Sequence, residues 1–147
     1  MRGRKGMIMA LNRREARSAV FELLFETEFK NDESKEEIFA LSTAHREIEE
    51  NDYIKNVYFG VYEHLLELDD MINRHSNGWK THRISKVSRS ILRLCVYEMC
   101  FCDEIPANVS INEAIELCKK FDAEKARPFV NGVLNGVKNE LDAKNNA

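Results

Sequence analysis

The residues best able to bind a charged ligand are arginines near the amino terminus of this chain of 147 residues. Residues 1–17 hold six cations, including Arg13, Arg14 and Arg17, and one acid, Glu15, so the segment carries a net charge of +5. The whole chain carries −3, so the other 130 residues carry −8. A basic end on an acidic body is typical of a surface that binds a polyanion. Cations at the start of a helix oppose its dipole, which indicates that these arginines serve a partner.

A second group of candidate binding residues lies in the string EKARPFVNGVLNG, residues 124–136. Single-stranded RNA is commonly held by cations on its phosphates and by aromatic rings stacked on unpaired bases, and Lys125 and Phe129 offer both. Asn131 adds an amide that can form hydrogen bonds. A helix beginning near Pro128 would supply free backbone donors for a phosphate. Because a Phe at helical spacing is more often a core residue, packing is the competing interpretation of Phe129.

The remaining motifs exclude several classes of protein. The chain has no phosphate loop, dinucleotide-type glycine fingerprint, serine nucleophile elbow or metalloprotease motif, so we predict no catalytic residue and no cofactor. Cys95, Cys100, Cys102 and Cys118 lie in apolar helical patterns. The pair Cys100-x-Cys102 lacks the second cysteine pair or nearby histidine that a metal site would require. We therefore predict buried, reduced thiols and no metal.

No segment is predicted to enter a membrane. The apolar run near the start, Met7 to Leu11, has only five residues, which is too short for the core of a signal peptide. No run approaches the ~20 apolar residues that a membrane-spanning helix needs. We therefore expect a cytoplasmic protein.

Apolar residues recur at helical spacing along the chain without an alternating strand pattern, which predicts an all-α protein. Capping-box spacings that begin at Asn12, Ser34 and Ser110 predict three helix starts. A further long helix is predicted over 51–74. Residues 91–102 are apolar on nearly every side, which is typical of a central helix surrounded by others.

The chain is predicted to form one compact domain overall, which divides into three parts. Residues 1–11 form a flexible basic arm, although a solvated tail explains the charge of its first residues equally well. The turn signal at residues 75–78 separates an N-terminal helical subdomain, residues 12–78, from a C-terminal one, residues 79–147.

Gly132 and Gly136 need an explanation, because each Gly in a helix interior costs about 1 kcal/mol relative to Ala. The two glycines are four residues apart and therefore share one face of the final helix. This spacing predicts a groove that lets the first or the central helix approach closely.

Three blocks of sequence resemble the NusB family of bacterial transcription antitermination factors. They occur in family order and, with the helices between them, span nearly the whole chain. The blocks are RREARSAVFELLFETEF, ISKVSRSILRLCVYEM and INEAIELCKKFDAEKARPFVNGVLNGV.

The resemblance implies two small antiparallel helical bundles, about six to seven helices in all. It also implies binding of the boxA segment of nascent RNA together with NusE, a ribosomal small-subunit protein. Other Nus factors and RNA polymerase would then be indirect partners. Carried onto this chain, the RNA-facing residues would be Arg13, Arg14 and Arg17, with Lys125 and Phe129 on the same surface.

The chain departs from the family pattern at three positions. Some members have an acid where Lys125 stands, so we expect tighter RNA binding with a steeper salt dependence here. Members often have Tyr at the position of Phe25 and an acid at that of Ser88. Both residues are expected near the NusE contact, so the details of that interface are expected to differ.

Two rival functions remain at this stage. The first is an RNA-binding helical module of the kind that precedes the catalytic domain in some ribosomal RNA methyltransferases, here without room for that domain. The second is a protein-interaction module without RNA, which would use the acidic second helix. The sequence leaves open whether the protein is a monomer or a homodimer.

Overall fold

The computed structural model describes residues 11–146, which form seven α-helices and one short 3₁₀ turn, with no strand in that range. The predicted arm therefore lies, except for Leu11, outside the described residues. The helices are α1 (Arg13–Thr27), α2 (Lys35–His45), α3 (Asp52–Glu63), α4 (Leu65–Arg74), α5 (Lys86–Phe101), α6 (Ala107–Phe121) and α7 (Ala126–Asn145), and the 3₁₀ turn is Thr81–Arg83.

The first two helix starts are confirmed. The side chain of Asn12 accepts a hydrogen bond from the Glu15 N–H at 2.7 Å, and the Glu15 carboxylate accepts one from the Asn12 N–H at 3.0 Å. Ser34 caps α2 by accepting a hydrogen bond from the Glu37 N–H at 3.0 Å. These local contacts satisfy donors that the first turn of a helix would otherwise leave unpaired.

The prediction of one helix over 51–74 is wrong, because the chain breaks at His64 between α3 and α4. His64 has φ −112° and ψ 22°, outside the helical range. Its ring stacks on Phe101 at 4.2 Å between centroids and hydrogen-bonds to Glu67 at 2.7 Å. The apolar spacing continues through the break, so periodicity alone does not reveal it.

The predicted helix start at Ser110 is also wrong. Helix α6 begins at Ala107 directly after Pro106, whose φ of −59° is compatible with a helix start. Ser110 consequently lies inside the helix, where its buried hydroxyl donates a hydrogen bond to Glu98 at 2.7 Å.

Helix α5 lies at the centre of the fold and packs against α1, α3, α4, α6 and α7, as its apolar surface predicts. One continuous apolar cluster draws on helices from both sides of position 78. Its fully buried members include Leu23, Ile54, Ile91, Leu92 and Leu134. The two halves of the chain therefore share one core, which fixes α1 relative to α6 and α7.

The two glycines of α7 have different surroundings. A Cβ added at Gly136 would lie 2.6 Å from Nδ1 of His75, so the close approach is real at that position. The neighbour is the residue that ends α4, however, and not α1 or α5 as predicted. A Cβ at Gly132 would meet nothing within 4 Å, so the predicted packing role of Gly132 is wrong.

Within residues 11–146, no helix is long and apolar enough to cross a membrane. All four cysteines are free thiols, and Cys95 and Cys118 are buried. Burial raises the pKa of the Cys118 thiol to about 12. The described residues contain no group of three or more side chains arranged to hold a metal ion.

Candidate nucleic-acid interface

Arg13 is an exposed cation held at the first position of α1. Its guanidinium carbon lies 4.2 Å from the centroid of the Tyr53 ring on α3, which is a cation–π contact. Among the described residues, no acid forms an ion pair with Arg13. The ring restricts the side chain without neutralising its charge, so Arg13 can bind an anion.

Arg14 forms an exposed ion pair with Glu113 on α6. Its Nε and Nη2 donate to the two carboxylate oxygens at 2.9 and 2.7 Å, while 66% of the Arg14 side chain stays accessible. The hydrogen bond from Arg14 is the main cause of the lowered pKa of Glu113. Because exposed ion pairs contribute little stability, an incoming anion can compete with Glu113 for Arg14.

Arg17 is buried, unlike its two neighbours in the motif. Its side chain is 5% exposed, and its Nε donates to Oε2 of Glu98 at 2.8 Å. Burial alone would lower the pKa of Arg17, but the hydrogen bond and charge of Glu98 outweigh it and leave the pKa raised. The structure therefore does not present Arg17 for direct contact with a ligand, contrary to the expectation for an RNA-facing arginine.

Glu98 joins four helices at a single buried carboxylate. Besides Arg17 of α1, it accepts hydrogen bonds from the hydroxyls of Tyr53 on α3 and Ser110 on α6. Burial and the charge of Glu98 raise the pKa of Tyr53 well above its ordinary value. This network fixes the start of α1, and thereby positions Arg13 and Arg14 at the surface.

A cleft of about 270 Å³ between α1 and α6 extends the basic surface. The two helices run parallel, because Arg14 contacts Glu113 near their beginnings and Phe21 stacks on Phe121 at 4.6 Å further along. The two lysines that line this cleft are not among the binding residues predicted from the sequence. The lining residues are Arg14, Arg17, Ser18, Glu113, Glu116, Leu117, Lys119 and Lys120.

The two lysines of the cleft differ in their partners. Lys119 pairs with Glu116 at 3.1 Å, whereas Lys120 is exposed and has no ion pair among the described residues. The Lys120 Nζ lies 5.1 Å from the centroid of the Phe121 ring. The sequence does contain a signal for Lys120, because Lys120 is one of two adjacent lysines at the end of the helix that also carries Glu113.

The second predicted group, at the start of α7, lies beyond the other end of α6. Lys125 is exposed at the N-cap position and Phe129 is half-buried against the core. From Glu113 to Phe121, α6 rises about 12 Å. Arg13 and Arg14 therefore do not cluster with Phe129; Lys120 lies between the two groups.

The predicted backbone donors near Pro128 are not available. The Ala126 N–H donates to the Ala123 carbonyl at 3.0 Å, and the Arg127 N–H donates to the Glu124 carbonyl at 3.3 Å. Pro128 itself has no N–H to offer. Because α7 begins before Pro128, its first donors are used by the preceding turn.

Asn131 is exposed and retains free hydrogen-bonding capacity. Its Oδ1 accepts a hydrogen bond from Nδ2 of Asn135 at 3.1 Å, one helical turn further on. The structure shows no protein partner for its own amide N–H₂ group within residues 11–146. Asn131 therefore offers two donors on the same end of α7 as Lys125 and Phe129.

The two residues predicted at a protein contact, Phe25 and Ser88, have different roles. Phe25 is half-buried in an open apolar groove of about 610 Å³. Ser88 is buried, and its hydroxyl donates to Oδ2 of Asp122 at 2.5 Å, so it cannot itself reach a partner. The groove is lined by Phe21, Glu22, Phe25, Glu26, Phe29, Lys30, Arg46, Val87 and Phe121.

Comparison with known proteins decides the family. Residues 14–139 match the NusB family. The chain belongs to the NusB family. It is 46% identical over 131 residues to the transcription antitermination protein NusB of Bacillus pumilus (strain SAFR-032), covering 89% of this chain and 98% of that protein.

Solved structures of NusB proteins agree with this fold. A structure of T. maritima NusB matches with a TM-score of 0.82 and 36% identity, covering 90% of this chain and 94% of that one. A crystal structure of the antitermination factors NusB and NusE in complex with dsRNA matches with a TM-score of 0.74 and 30% identity. It covers 93% of this chain and 96% of the other. The NusB family and the all-helical fold predicted from the sequence are therefore confirmed.

Proposed function

We propose that this NusB family member is an RNA-binding transcription antitermination factor that binds boxA-type single-stranded RNA together with NusE. The observation that carries the proposal is the band of accessible cations along α1, α6 and the start of α7. Its members are Arg13, Arg14, Lys120 and Lys125. Relatives at this level of identity are transcription antitermination proteins, and a similar NusB has been solved with NusE and RNA.

The cations of the band would bind the RNA phosphates. Arg13 and Lys125 have no ion pair among the described residues, so they can contact a phosphate without breaking one. Arg14 would exchange Glu113 for a phosphate, since guanidinium binds both groups through paired hydrogen bonds. Arg17 acts indirectly in this proposal, because its pair with Glu98 holds the helix end that presents the other two arginines.

Phe129 and Asn131 would contact the bases. A base stacked on an aromatic side chain contributes about 1–3 kcal/mol to binding. The half-buried ring of Phe129 is held against the core and so needs little ordering when a base arrives. The free amide donors of Asn131 lie two residues further along α7 and can bond to base acceptors. Such base contacts distinguish one RNA sequence from another, which phosphate contacts alone cannot do.

NusE would dock on the apolar groove between α1 and α5. Phe25 lines this groove, and Phe29 at its rim is 63% exposed. Exposing an apolar ring of this size to water is unfavourable, and exposed apolar patches mark sites of protein interaction. Ser88 would contribute indirectly, because its hydrogen bond to Asp122 ties the start of α5 to the end of α6 and so sets the position of Val87.

No catalytic step is part of the proposal. The protein would join other Nus factors and RNA polymerase through NusE and RNA, and no cofactor or metal is needed for these contacts. Because it acts on nascent transcripts, the proposal places it in the cytoplasm.

Charge-reversal variants test the RNA surface. Arg13→Glu and Lys125→Glu should each weaken binding of a boxA RNA and lower the salt slope by at least about 0.7, the share of one phosphate contact on a single strand. Lys144→Glu is the matched control, because Lys144 lies on α7 about 28 Å from Lys125. Equal losses in all three variants would show that only overall charge matters and would overturn the proposed surface.

A further inference from the structure

The segment between α4 and α5 carries a basic surface that the proposed function does not use. No Asp or Glu occurs between Asp70 and Glu98, a stretch that contains six Lys and Arg residues. The rest of the chain beyond the amino-terminal segment is acidic, so this is a second local excess of positive charge.

Three of these six cations are already neutralised by acids from other helices. Arg74 pairs with Glu140 on α7, Arg89 pairs with Glu28, and Arg93 pairs with Asp69 and Glu28. The other three are exposed and have no ion pair in the part of the chain that the structure describes. They are Lys80, Arg83 and Lys86.

The backbone of this segment is held in a defined shape. Asn77 and Gly78 have φ values of 52° and 88°, a left-handed turn that suits these residue types and reverses the chain before Trp79. Asn73 accepts a hydrogen bond from the Thr81 N–H at 2.8 Å, and Arg89 donates to the Thr81 carbonyl at 3.0 Å.

With the backbone held in this way, some side chains of the segment are buried and others face solvent. Thr81 and Ile84 are buried beneath it, whereas the three unpaired cations face solvent. Lys86 also lies in the first turn of α5, where a cation opposes the helix dipole. The same unfavourable interaction between a cation and the helix dipole indicated a partner for the arginines of α1.

One exposed aromatic ring lies among these cations, because Trp79 is 53% exposed. Lys86 borders the groove proposed for NusE, since its Nζ lies 5.4 Å from the centroid of the Phe29 ring. Unpaired cations beside an exposed aromatic ring are the combination that binds single-stranded nucleic acid, through phosphate contacts and base stacking. A protein partner would satisfy the ring but would have to supply at least three acids to the unpaired cations.

We propose that Trp79, Lys80, Arg83 and Lys86 form a second single-stranded RNA-binding surface, which takes the RNA that flanks the boxA segment. This inference rests on the proposed function, in which boxA binds the band from Arg13 to Lys125. The hydrogen bond from Ser88 to Asp122 ties the start of α5, which carries Lys86, to the end of α6 just before Lys125, so one RNA strand can continue from the band onto this surface.

Fluorescence can report on this surface directly, because Trp79 is the only tryptophan of the chain. Three RNAs should be titrated without NusE: boxA alone, boxA with a single-stranded extension of about ten nucleotides, and the extension alone. We expect the two RNAs that contain the extension to quench Trp79, and boxA alone to bind without quenching it.

Removing the three cations provides the matching affinity test. Lys80→Ala/Arg83→Ala/Lys86→Ala should weaken binding of the extended RNA at least about fivefold, because three phosphate contacts are lost while the Trp79 ring remains. The salt slope should fall by about 2, the share of three phosphate contacts. Binding of boxA alone should not change.

A control with the same change in net charge removes three lysines elsewhere. The control variant is Lys55→Ala/Lys138→Ala/Lys144→Ala, and it should bind both RNAs like the wild type. Thermal unfolding of both triple variants should resemble that of the wild type, since none of the six side chains is buried and the ion pairs of Lys138 and Lys144 are solvent-accessible and contribute little.

The outcomes separate this inference from the proposed function. If boxA alone binds neither without nor with NusE but the extension quenches Trp79, the proposed function fails and the second surface stands. If boxA binds while the extended RNA leaves Trp79 emission and the triple variant unaffected, the second surface is overturned. It is also overturned if the triple variant loses NusE binding and keeps full affinity for the extended RNA.

Discussion

Replacing Arg17 by Ala should destabilise the protein strongly, although Arg17 belongs to the same RREAR string as the exposed arginines. The substitution removes the charged partner of Glu98, whose side chain is only 1% exposed. Removing one partner of a buried ion pair typically costs about 3–5 kcal/mol, because an uncompensated charge is left in the interior. The hydroxyls of Tyr53 and Ser110 continue to donate to Glu98, so we expect the lower part of that range.

Urea denaturation at neutral pH would measure this effect as a change in the free energy of unfolding. The melting temperature should fall by roughly 10 °C for a chain of this size. Arg13→Ala is the matched control, because it removes an exposed arginine four residues away that has no ion pair within residues 11–146. That control should cost less than about 1 kcal/mol of stability while it weakens RNA binding.

A double variant separates the charge effect from lost packing. Arg17→Leu/Glu98→Leu removes both charges, and its stability should recover above that of Arg17→Ala, since buried ion pairs are often replaceable by apolar groups. A loss below about 1 kcal/mol for Arg17→Ala would contradict this prediction, because it would mean that Glu98 is not confined in a buried network.

The remaining predictions concern α7. Gly136→Ala should destabilise the protein by about 1–3 kcal/mol, because its Cβ would overlap the ring of His75, whereas Gly132→Ala should stabilise it by up to about 1 kcal/mol. Equal effects in denaturation experiments would contradict this contrast. Hydrogen bonding to Arg74 and His75 lowers the pKa of Glu140 to about 2. The stabilisation from Glu140 should therefore be present above the unfolded pKa of about 4.3 and be lost as the pH falls towards 2. Glu140→Gln should reduce this acid dependence of the unfolding free energy, and an unchanged profile would count against the pair. Phe129→Ala should weaken boxA binding at least about fivefold, as measured by titration, while the exposed-ring control Phe101→Ala should not. A large fall in melting temperature with unchanged RNA affinity would assign Phe129 to the core alone.

Features fixed by neighbouring residues were predictable from the sequence. The capping contacts of Asn12 and Ser34 join residues three apart, and the apolar faces of the helices follow a short period. The three family blocks were also sufficient to predict the fold, because they occur in order along most of the chain.

Features decided by distant residues were not predictable in the same way. Arg13, Arg14 and Arg17 are alike in sequence, yet only Arg17 meets Glu98, which lies 81 positions later. Ser110 has the spacing of a helix cap, but the earlier start at Pro106 moves it into a buried network.

The separation between Arg13 and Phe129 depends on α6, which contacts α1 through Arg14–Glu113 and Phe21–Phe121 and ends before α7 begins. The relation of these two residues is therefore set by helix packing. The pattern of residue types and spacings predicts which kinds of residue form the proposed surface, and the fold decides which of them are accessible.

The most direct test of the central claim is a titration of boxA-type RNA with this protein, with and without NusE, at two salt concentrations. We predict sequence-dependent binding that is tighter with NusE and weaker at the higher salt concentration. Four phosphate contacts from Arg13, Arg14, Lys120 and Lys125 would give a salt slope of about −3. Absence of binding in both cases, or binding that is indifferent to RNA sequence and to NusE, would contradict the account.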